Sequence, residues 1–261
     1  MQIKDILAVL EQVAPPHLQE SYDNAGLIVG HPDDAVSGIL FCLDSTETVV
    51  EEAVRKGCNL VVAHHPIVFR GLKRLNGSTY VERTVMLAIR KRVAIYAIHT
   101  NLDNVYRQGV NEKIAQRLQL IRTRILAPKP GFADVGAGLI GELAVPMDEP
   151  AFLQQVKTVL RSPCVRHTAF RQRPIRFVAV CGGSGSFLLP EALRAGADAF
   201  VTADFKYHEF FDAEGRLVIA DVGHYESEQF TIELLHEIIH EKFPTFALHL
   251  TQVTTNPVFY L

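Results

Sequence analysis

The chain has 261 residues, a formal net charge of −3 at pH 7, 48% hydrophobic residues and 21% charged residues. This composition is typical of a folded globular protein of one large or two small domains. The acidic balance argues against a generally cationic nucleic-acid-binding surface, although it leaves room for a local basic patch. No long apolar run is present, so we predict a cytoplasmic protein without a membrane span.

Short apolar runs without polar alternation recur along the chain, as in strands that are buried on both faces of an α/β sheet. They lie at residues 38–43, 59–63, 92–98, 176–181, 197–202 and 216–221. Segments with apolar residues three and four apart predict helices at 47–56, 81–91, 109–120, 149–160 and 190–195. The alternation of the two patterns predicts an α/β fold with mixed or parallel sheets.

Residues 122–150 are rich in proline and glycine and interrupt this alternation. They predict a connection with one or two strands, and therefore a boundary near residue 125. We expect two α/β/α layered lobes, residues 1–125 and 126–261. Intertwined lobes, and a C-terminal helix that packs back on the first lobe, stay open at this point.

Metal-ligating side chains follow three of the predicted strands, where α/β sheets bind their ligands. His64 and His65 follow the second predicted strand, Asp103 follows the third, and His224 and Glu228 follow the last. Three imidazoles and two carboxylates suit two divalent cations about 3.5–4 Å apart, with one of the carboxylates bridging the cations. This mixed donor set favours zinc, iron, manganese or cobalt over calcium.

Each of these short sequence patterns has a simpler explanation when it is taken alone. A His-His pair is most often a loop feature, and a His/Glu pair four residues apart is most often a surface helix pair. Asp103 followed by an asparagine is also typical of a turn or a helix cap. The metal hypothesis therefore depends on all of them occurring together at strand ends.

Two further histidines, His99 and His208, are candidates for proton transfer because imidazole titrates near neutral pH. His99 is equally suited to orienting Asp103 by a hydrogen bond. Residues 180–186 form a glycine-rich segment that we expect to be a loop offering backbone N–H groups to a phosphate, unless its glycines serve only a tight turn. Lys206 and Tyr207 could add charge and hydrogen bonds there, or form a polar loop at a subunit contact.

Residues 236–240 match the H-E-x-x-H pattern of zinc proteases. His236, Glu237 and His240 would lie opposite an apolar face formed by residues such as Leu235 and Ile238, and no suitable third ligand follows. We therefore predict an amphipathic surface helix.

Several long segments together resemble one known family. They are SYDNAGLIVG (21–30), CLDSTETVVEEAV (42–54), LVVAHHPIVFRGLKRL (60–75), AIHTNLDNVYRQGVN (97–111) and DVGHYESE (221–228). They look like the dinuclear-metal hexameric family known as the GTP cyclohydrolase I type 2 homologue, or NIF-three-like, family. The resemblance covers nearly the whole chain and implies a short form without the central domain that longer relatives insert.

The resemblance implies the same five metal ligands. Glu228 would bridge two divalent ions, with Asp103 and His65 on one ion and His64 and His224 on the other. It also implies a toroidal homohexamer, and hydrolysis in which metal-bound hydroxide attacks the purine ring of GTP and formate is released. The alternative is a non-catalytic metal-binding ring that acts as a scaffold, a metallochaperone or a nucleic-acid-associated toroid.

Overall fold

The computed structural model describes residues 1–261. Eleven strands are present: β1 Gly26–Val29, β2 Ile39–Cys42, β3 Leu60–Ala63, β4 Ala94–Ala97, β5 Ile121–Pro128, β6 Gly136–Met147, β7 Arg166–His167, β8 Ile175–Ser184, β9 Ala199–Ala203, β10 Val218–Asp221 and β11 Leu248–Leu250. Nine α-helices are present: α1 Ile3–Val13, α2 Glu47–Arg55, α3 Tyr80–Lys91, α4 Thr100–Asp103, α5 Val110–Arg117, α6 Glu149–Val159, α7 Leu189–Arg194, α8 His224–Glu228 and α9 Thr231–Lys242. All six predicted strands and all five predicted helices are confirmed, with small shifts at their ends.

Several helices begin at capping side chains that the sequence supplies. Thr46 accepts a hydrogen bond from the Val49 amide at the start of α2, and Asp148 accepts one from the Ala151 amide at the start of α6. These oxygens satisfy amides that have no partner within the helix. None of the helices has both the length and the apolar composition needed to cross a bilayer.

The first compact unit comprises residues 1–102 and 231–257. Its sheet has the strand order β1-β4-β3-β2-β11, in which only β1 is antiparallel to its neighbour. Cys42, Ala63 and Ala97 are in register at the ends of β2, β3 and β4. The residues that follow these three strands therefore emerge along one edge of the sheet.

Helices cover both faces of this sheet. Val50 of α2 and Ala88 of α3 pack with Leu40 on one face. On the other face Phe41 contacts His236 of α9, with ring centroids 5.8 Å apart, and the Tyr96 hydroxyl lies 3.5 Å from Glu11 of α1. The first unit is therefore the predicted α/β/α sandwich, completed by the C-terminal helix.

The second compact unit comprises residues 103–230 and 258–261. Its sheet is mixed, with the order β5-β6-β8-β9-β10-β7 and with β8, β9 and β10 parallel. Ala192 of α7 packs with Ala179 and Phe200 on one face. The opposite face of β8 lies beneath α5, because a Cβ atom on Gly182 would come within 2.8 Å of Val110.

The compact units divide after Leu102, whereas the sequence indicated a boundary near residue 125. The prediction assumed that the lobes change at the proline- and glycine-rich stretch, but that stretch forms the β5–β6 hairpin inside the second sheet. The chain then returns to the first unit at Thr231, which brings α9 and β11 into that unit.

Candidate metal centre

Three histidines meet at the carboxyl edge of the first sheet. His64 and His65 directly follow β3, and His99 comes two residues after the end of β4. Because β3 and β4 are parallel neighbours in register, their ends deliver the three rings to the same place. One ring nitrogen from each histidine lies within 4.8 Å of the others. The first unit thus presents a group of three imidazoles that could hold a metal ion.

Hydrogen bonds fix the rings of His64 and His65. The Nδ1 atom of His64 lies 2.9 Å from the carbonyl oxygen of Ile98, and the Nδ1 atom of His65 lies 2.7 Å from Asp44 Oδ1. A carbonyl oxygen can only accept, so Nδ1 of His64 carries the hydrogen and Nε2 of the neutral ring keeps its lone pair. The Asp44 carboxylate favours the same tautomer in His65.

Asp44 is itself held by the C-terminal part of the first unit. Its Oδ2 atom accepts a hydrogen bond of 2.7 Å from the Thr255 hydroxyl. Burial alone would raise the pKa of the Asp44 carboxyl, but the hydrogen bonds from His65 and Thr255 and the electrostatic attraction of the neighbouring histidines together outweigh burial and hold that pKa below its usual value. Asp44 is therefore an ionised acceptor whose two oxygens are both engaged.

His99 has a similar support in Asp23. Its Nδ1 atom lies 2.8 Å from Asp23 Oδ1, while Asp23 Oδ2 accepts from the amide and the hydroxyl of Thr100. Burial alone would raise the pKa of Asp23, but the hydrogen bonds from His99 and Thr100 lower it to about 2. The buried carboxylate stays charged at neutral pH and holds Nδ1 of His99 as the donor.

The second unit carries the other predicted ligands. Asp103 ends α4, whereas His224 and Glu228 are the first and last residues of α8, just after β10. His224 Nε2 lies 3.1 Å from Glu228 Oε2, and His224 Nδ1 lies 2.7 Å from Asp204 Oδ2. Burial lowers the pKa of His224, but Glu228 and Asp204 outweigh burial and raise that pKa to about 11. In the metal-free protein, His224 is thus a cation between two carboxylates.

Glycines of β8 make room for Glu228. Gly183 has φ of +61°, and a Cβ atom there would lie 2.3 Å from Glu228 Oε1. The Gly182 amide donates to Asn111 Oδ1 at 3.0 Å, and the Gly183 amide donates to Ser227 Oγ at 2.9 Å. The prediction of an open phosphate-binding loop is therefore wrong at these two glycines: they belong to the end of β8, and their N–H groups have partners inside the protein.

The two predicted proton-transfer residues have different surroundings. His99 lies with His64 and His65, whose ring centroids are 5.3 and 5.4 Å from its own. His208 lies in an exposed 3-10 segment, Tyr207–Ala213, and its ring contacts that of Tyr207. His208 is exposed, and its catalytic role stays a prediction.

The supporting residues Asp23, Asp44 and Asp204 carry no metal-site role in the sequence analysis. A signal existed for two of them, because Asp44 follows β2 and Asp204 directly follows β9 at strand ends. Asp23 lies outside any strand and is 76 residues from its partner His99. No local pattern could have joined those two residues.

Glu237 and His240 of the H-E-x-x-H segment lie on the surface, as predicted, whereas His236 is half-buried and its ring contacts the buried Phe41. Leu235 and Ile238 of α9 are buried, whereas Glu237 and His240 are exposed. The rings of His236 and His240 stack on each other with centroids 5.6 Å apart. This helix is therefore amphipathic.

Comparison with known proteins places the chain in one family. The profile of the family Duf34/NIF3 (NGG1p interacting factor 3) matches residues 1–257, and the chain belongs to this family. A Lactococcus lactis relative named "GTP cyclohydrolase 1 type 2 homolog" is 32% identical over 263 aligned residues, which cover 99% of both chains. A relative of the same name from Clostridium acetobutylicum is 31% identical and covers 87% of this chain and 85% of its own.

A solved structure has the same fold. The crystal structure of a Bacillus cereus protein related to NIF3 superimposes with a TM-score of 0.94 at 25% sequence identity, covering 100% of this chain and 99% of the other. The predicted family and the two-lobed α/β fold are therefore confirmed. The histidine and glutamate groups described above are capable of binding a metal.

Proposed function

We propose that this protein is a hydrolase that depends on two divalent metal ions and opens the purine ring of GTP with release of formate. One observation carries the metal part of the proposal. Each of the three predicted histidine ligands, His64, His65 and His224, has its Nδ1 atom on a carbonyl or carboxylate oxygen. This is the arrangement by which proteins orient metal-ligating imidazoles and raise their basicity. The names of the curated relatives support the choice of GTP.

The proposed ligands are His64, His65, Asp103, His224 and Glu228, with Glu228 as the bridge. Borderline nitrogen donors and hard carboxylate donors together suit zinc, iron or manganese. When bound, two such ions would polarise the electrophile and lower the pKa of a water molecule. The protein's own contribution is to hold each imidazole in one tautomer and one orientation before the metal arrives.

His99 is the proposed proton-transfer residue. Asp23 holds its Nδ1 atom as a donor, so the proton that moves is held at Nε2. The carboxylate stabilises the imidazolium that forms when Nε2 takes a proton, as in other carboxylate–histidine pairs. His208 stays a second candidate from the sequence.

The first experiment measures metal content. Purified protein incubated with zinc or manganese is expected to retain two ions per chain after desalting, and the His64→Ala and Glu228→Ala variants are expected to retain fewer. His240→Ala is the matched control, because it removes an exposed imidazole outside the proposed set. Zero ions per wild-type chain would contradict the proposal.

The second experiment follows formate released from GTP by the metal-loaded protein. Release by the wild type and by His240→Ala, together with its loss in Glu228→Ala, is the expected result. Metal binding without any release would contradict the hydrolase and favour the non-catalytic metal-binding ring. Equal release by wild type and Glu228→Ala would also contradict the proposal.

The proposed assembly is a homohexameric ring in the cytoplasm, on the strength of the family resemblance. Light scattering after size exclusion tests it, and we expect six times the chain mass. A monomer or dimer at micromolar concentration would contradict this assignment.

A further inference from the structure

An exposed segment beside the three histidines combines an aromatic ring with three cations. It comprises residues 69–75 and is called the basic loop here. Arg70, Lys73 and Arg74 supply its charge, and no acidic residue occurs between Glu52 and Glu82. Arg70, Lys73 and Arg74 are exposed and form no ion pair within the chain. The segment is therefore a concentrated positive surface on a protein that is acidic overall.

The start of the basic loop is tied to the histidine group. The Phe69 ring meets the His99 ring edge-on, with centroids 5.6 Å apart, while half of Phe69 stays exposed. The Asn24 side chain donates to the Val68 carbonyl at 2.6 Å, and Asn24 directly follows Asp23, which holds His99. These two contacts place the first residue of the basic loop beside the proposed site of chemistry.

Chain length limits how far the cations can be from the rings. Arg70 is the next residue after Phe69, and Arg74 is five residues along, so its Cα atom lies within about 18 Å of the Phe69 Cα atom. The aromatic ring lies against a histidine, and the three charged residues follow it along the chain. A ligand with a planar base at one end and several negative charges at the other would match this order.

We infer that the basic loop is a binding site for a purine nucleoside triphosphate, with Phe69 against the base and Arg70, Lys73 and Arg74 on the phosphates. The inference rests on the proposed function and names the residues that recognise its substrate. Aromatic side chains stack on bases without reading their sequence, and guanidinium groups pair with phosphate oxygens. The glycine amides of β8 are already committed to Asn111 and Ser227, so the phosphates need another partner.

The test measures equilibrium binding of GTP, guanosine and inorganic triphosphate by calorimetry, with and without added metal. The triple variant Arg70→Ser, Lys73→Ser, Arg74→Ser is expected to weaken GTP and triphosphate binding at least about tenfold, and guanosine binding little. The matched control replaces three other exposed cations, Arg55, Arg90 and Lys91, with serine, which changes the net charge equally. GTP binding by the control is expected to stay within about twofold of wild type.

Phe69→Leu gives a second, independent measurement. It is expected to weaken GTP and guanosine binding about five- to tenfold and to leave triphosphate binding unchanged. Thermal melting checks folding, and the variants should melt as wild type does because residues 66–79 form no helix or strand.

Any one of the following results would overturn the inference. One is wild-type protein that binds no GTP, and another is a triple variant that binds GTP as tightly as the control variant does. The third is a triple variant that changes only the oligomeric mass, which would make the basic loop, with its exposed Leu72 and Leu75, a contact between copies of the chain. Loop-dependent GTP binding without formate release would leave this inference standing and contradict the hydrolase. Formate release by the triple variant with an unchanged KM for GTP would contradict this inference and leave the hydrolase proposal standing.

Discussion

In the first unit, histidines predominate among the candidate ligands, and each ring is oriented by an oxygen acceptor: Ile98, Asp44 or Asp23. In the second unit, carboxylates predominate, and one of them is accommodated by a glycine. Glu228 packs against Gly183, where no side chain would fit, and it neutralises His224 directly. An imidazole needs its ring turned to the correct nitrogen, whereas a carboxylate with two equivalent oxygens needs space. The two units therefore tolerate different substitutions.

The largest effect is expected at the glycine that accommodates Glu228. In Gly183→Ala, the new methyl group would lie 2.3 Å from Glu228 Oε1, so the flexible carboxylate must move away. We expect metal affinity to fall by more than about 100-fold, because a ligand and not merely its support is displaced. Metal titration of purified protein measures it.

Gly215→Ala separates this effect from backbone strain. Gly215 also has positive φ, +67°, but nothing lies within 4 Å of a Cβ atom there. Both variants should lose about 1–2 kcal/mol of unfolding free energy from the left-handed backbone. Only Gly183→Ala should lose metal, and equal losses would show that the space beside Glu228 is irrelevant.

The next effect tests the orientation of imidazoles in the first unit. In Asp44→Ala, His65 loses the acceptor 2.7 Å from its Nδ1 atom. Loss of such an outer hydrogen bond is expected to weaken metal binding about 10- to 100-fold. The visible spectrum of the cobalt-substituted protein should change as well. An affinity and spectrum identical to wild type would rule out orientation by Asp44.

The pH dependence tests the ion pair of the second unit. The pKa of His224 in the metal-free protein is raised to about 11, so this ring holds an extra proton throughout the physiological range. That proton must leave when the ring nitrogen becomes a ligand. Metal affinity should therefore rise with pH, by up to about tenfold per pH unit between pH 6 and 9 from this residue.

Calorimetry in buffers of different ionisation enthalpy counts the released protons. We expect about one from this site at pH 8, and about one fewer from His224→Ala than from wild type. The same proton count in wild type and His224→Ala would contradict the assignment of the raised pKa to a metal ligand.

The smallest effect is expected for Thr255, which is two hydrogen bonds away from the His65 ring. The Thr255 hydroxyl holds the second oxygen of Asp44. Thr255→Val keeps the shape and removes that hydrogen bond, so we expect metal affinity to fall a few-fold, equivalent to about 1 kcal/mol. Thr255→Ser keeps the hydroxyl and should bind metal as wild type does. Weakening by serine equal to that by valine would assign the effect to packing.

The sequence predicted the strands and helices well because their signals are local. An uninterrupted apolar run marks a strand buried on both faces, and a 3.6-residue period marks one helix face. His64 and His65 were predicted because they follow such a run. The boundary at residue 125 was placed on a local composition signal, but sheet pairing put that stretch inside the second unit.

Sequence alone determined the α/β class, the family and the candidate ligands, since these depend on residue types in order along the chain. Only the tertiary structure decided which side chains orient the candidate histidines through hydrogen bonds. Asp23 lies 76 residues from His99, and Thr255 lies 211 residues from Asp44. The tertiary structure also explains why residue 183 is a glycine, because any larger residue would clash with the side chain of Glu228, which is 45 positions away. Hydrogen bonds and steric exclusion act through space over a few ångströms, and that proximity exists only once the sheets have formed.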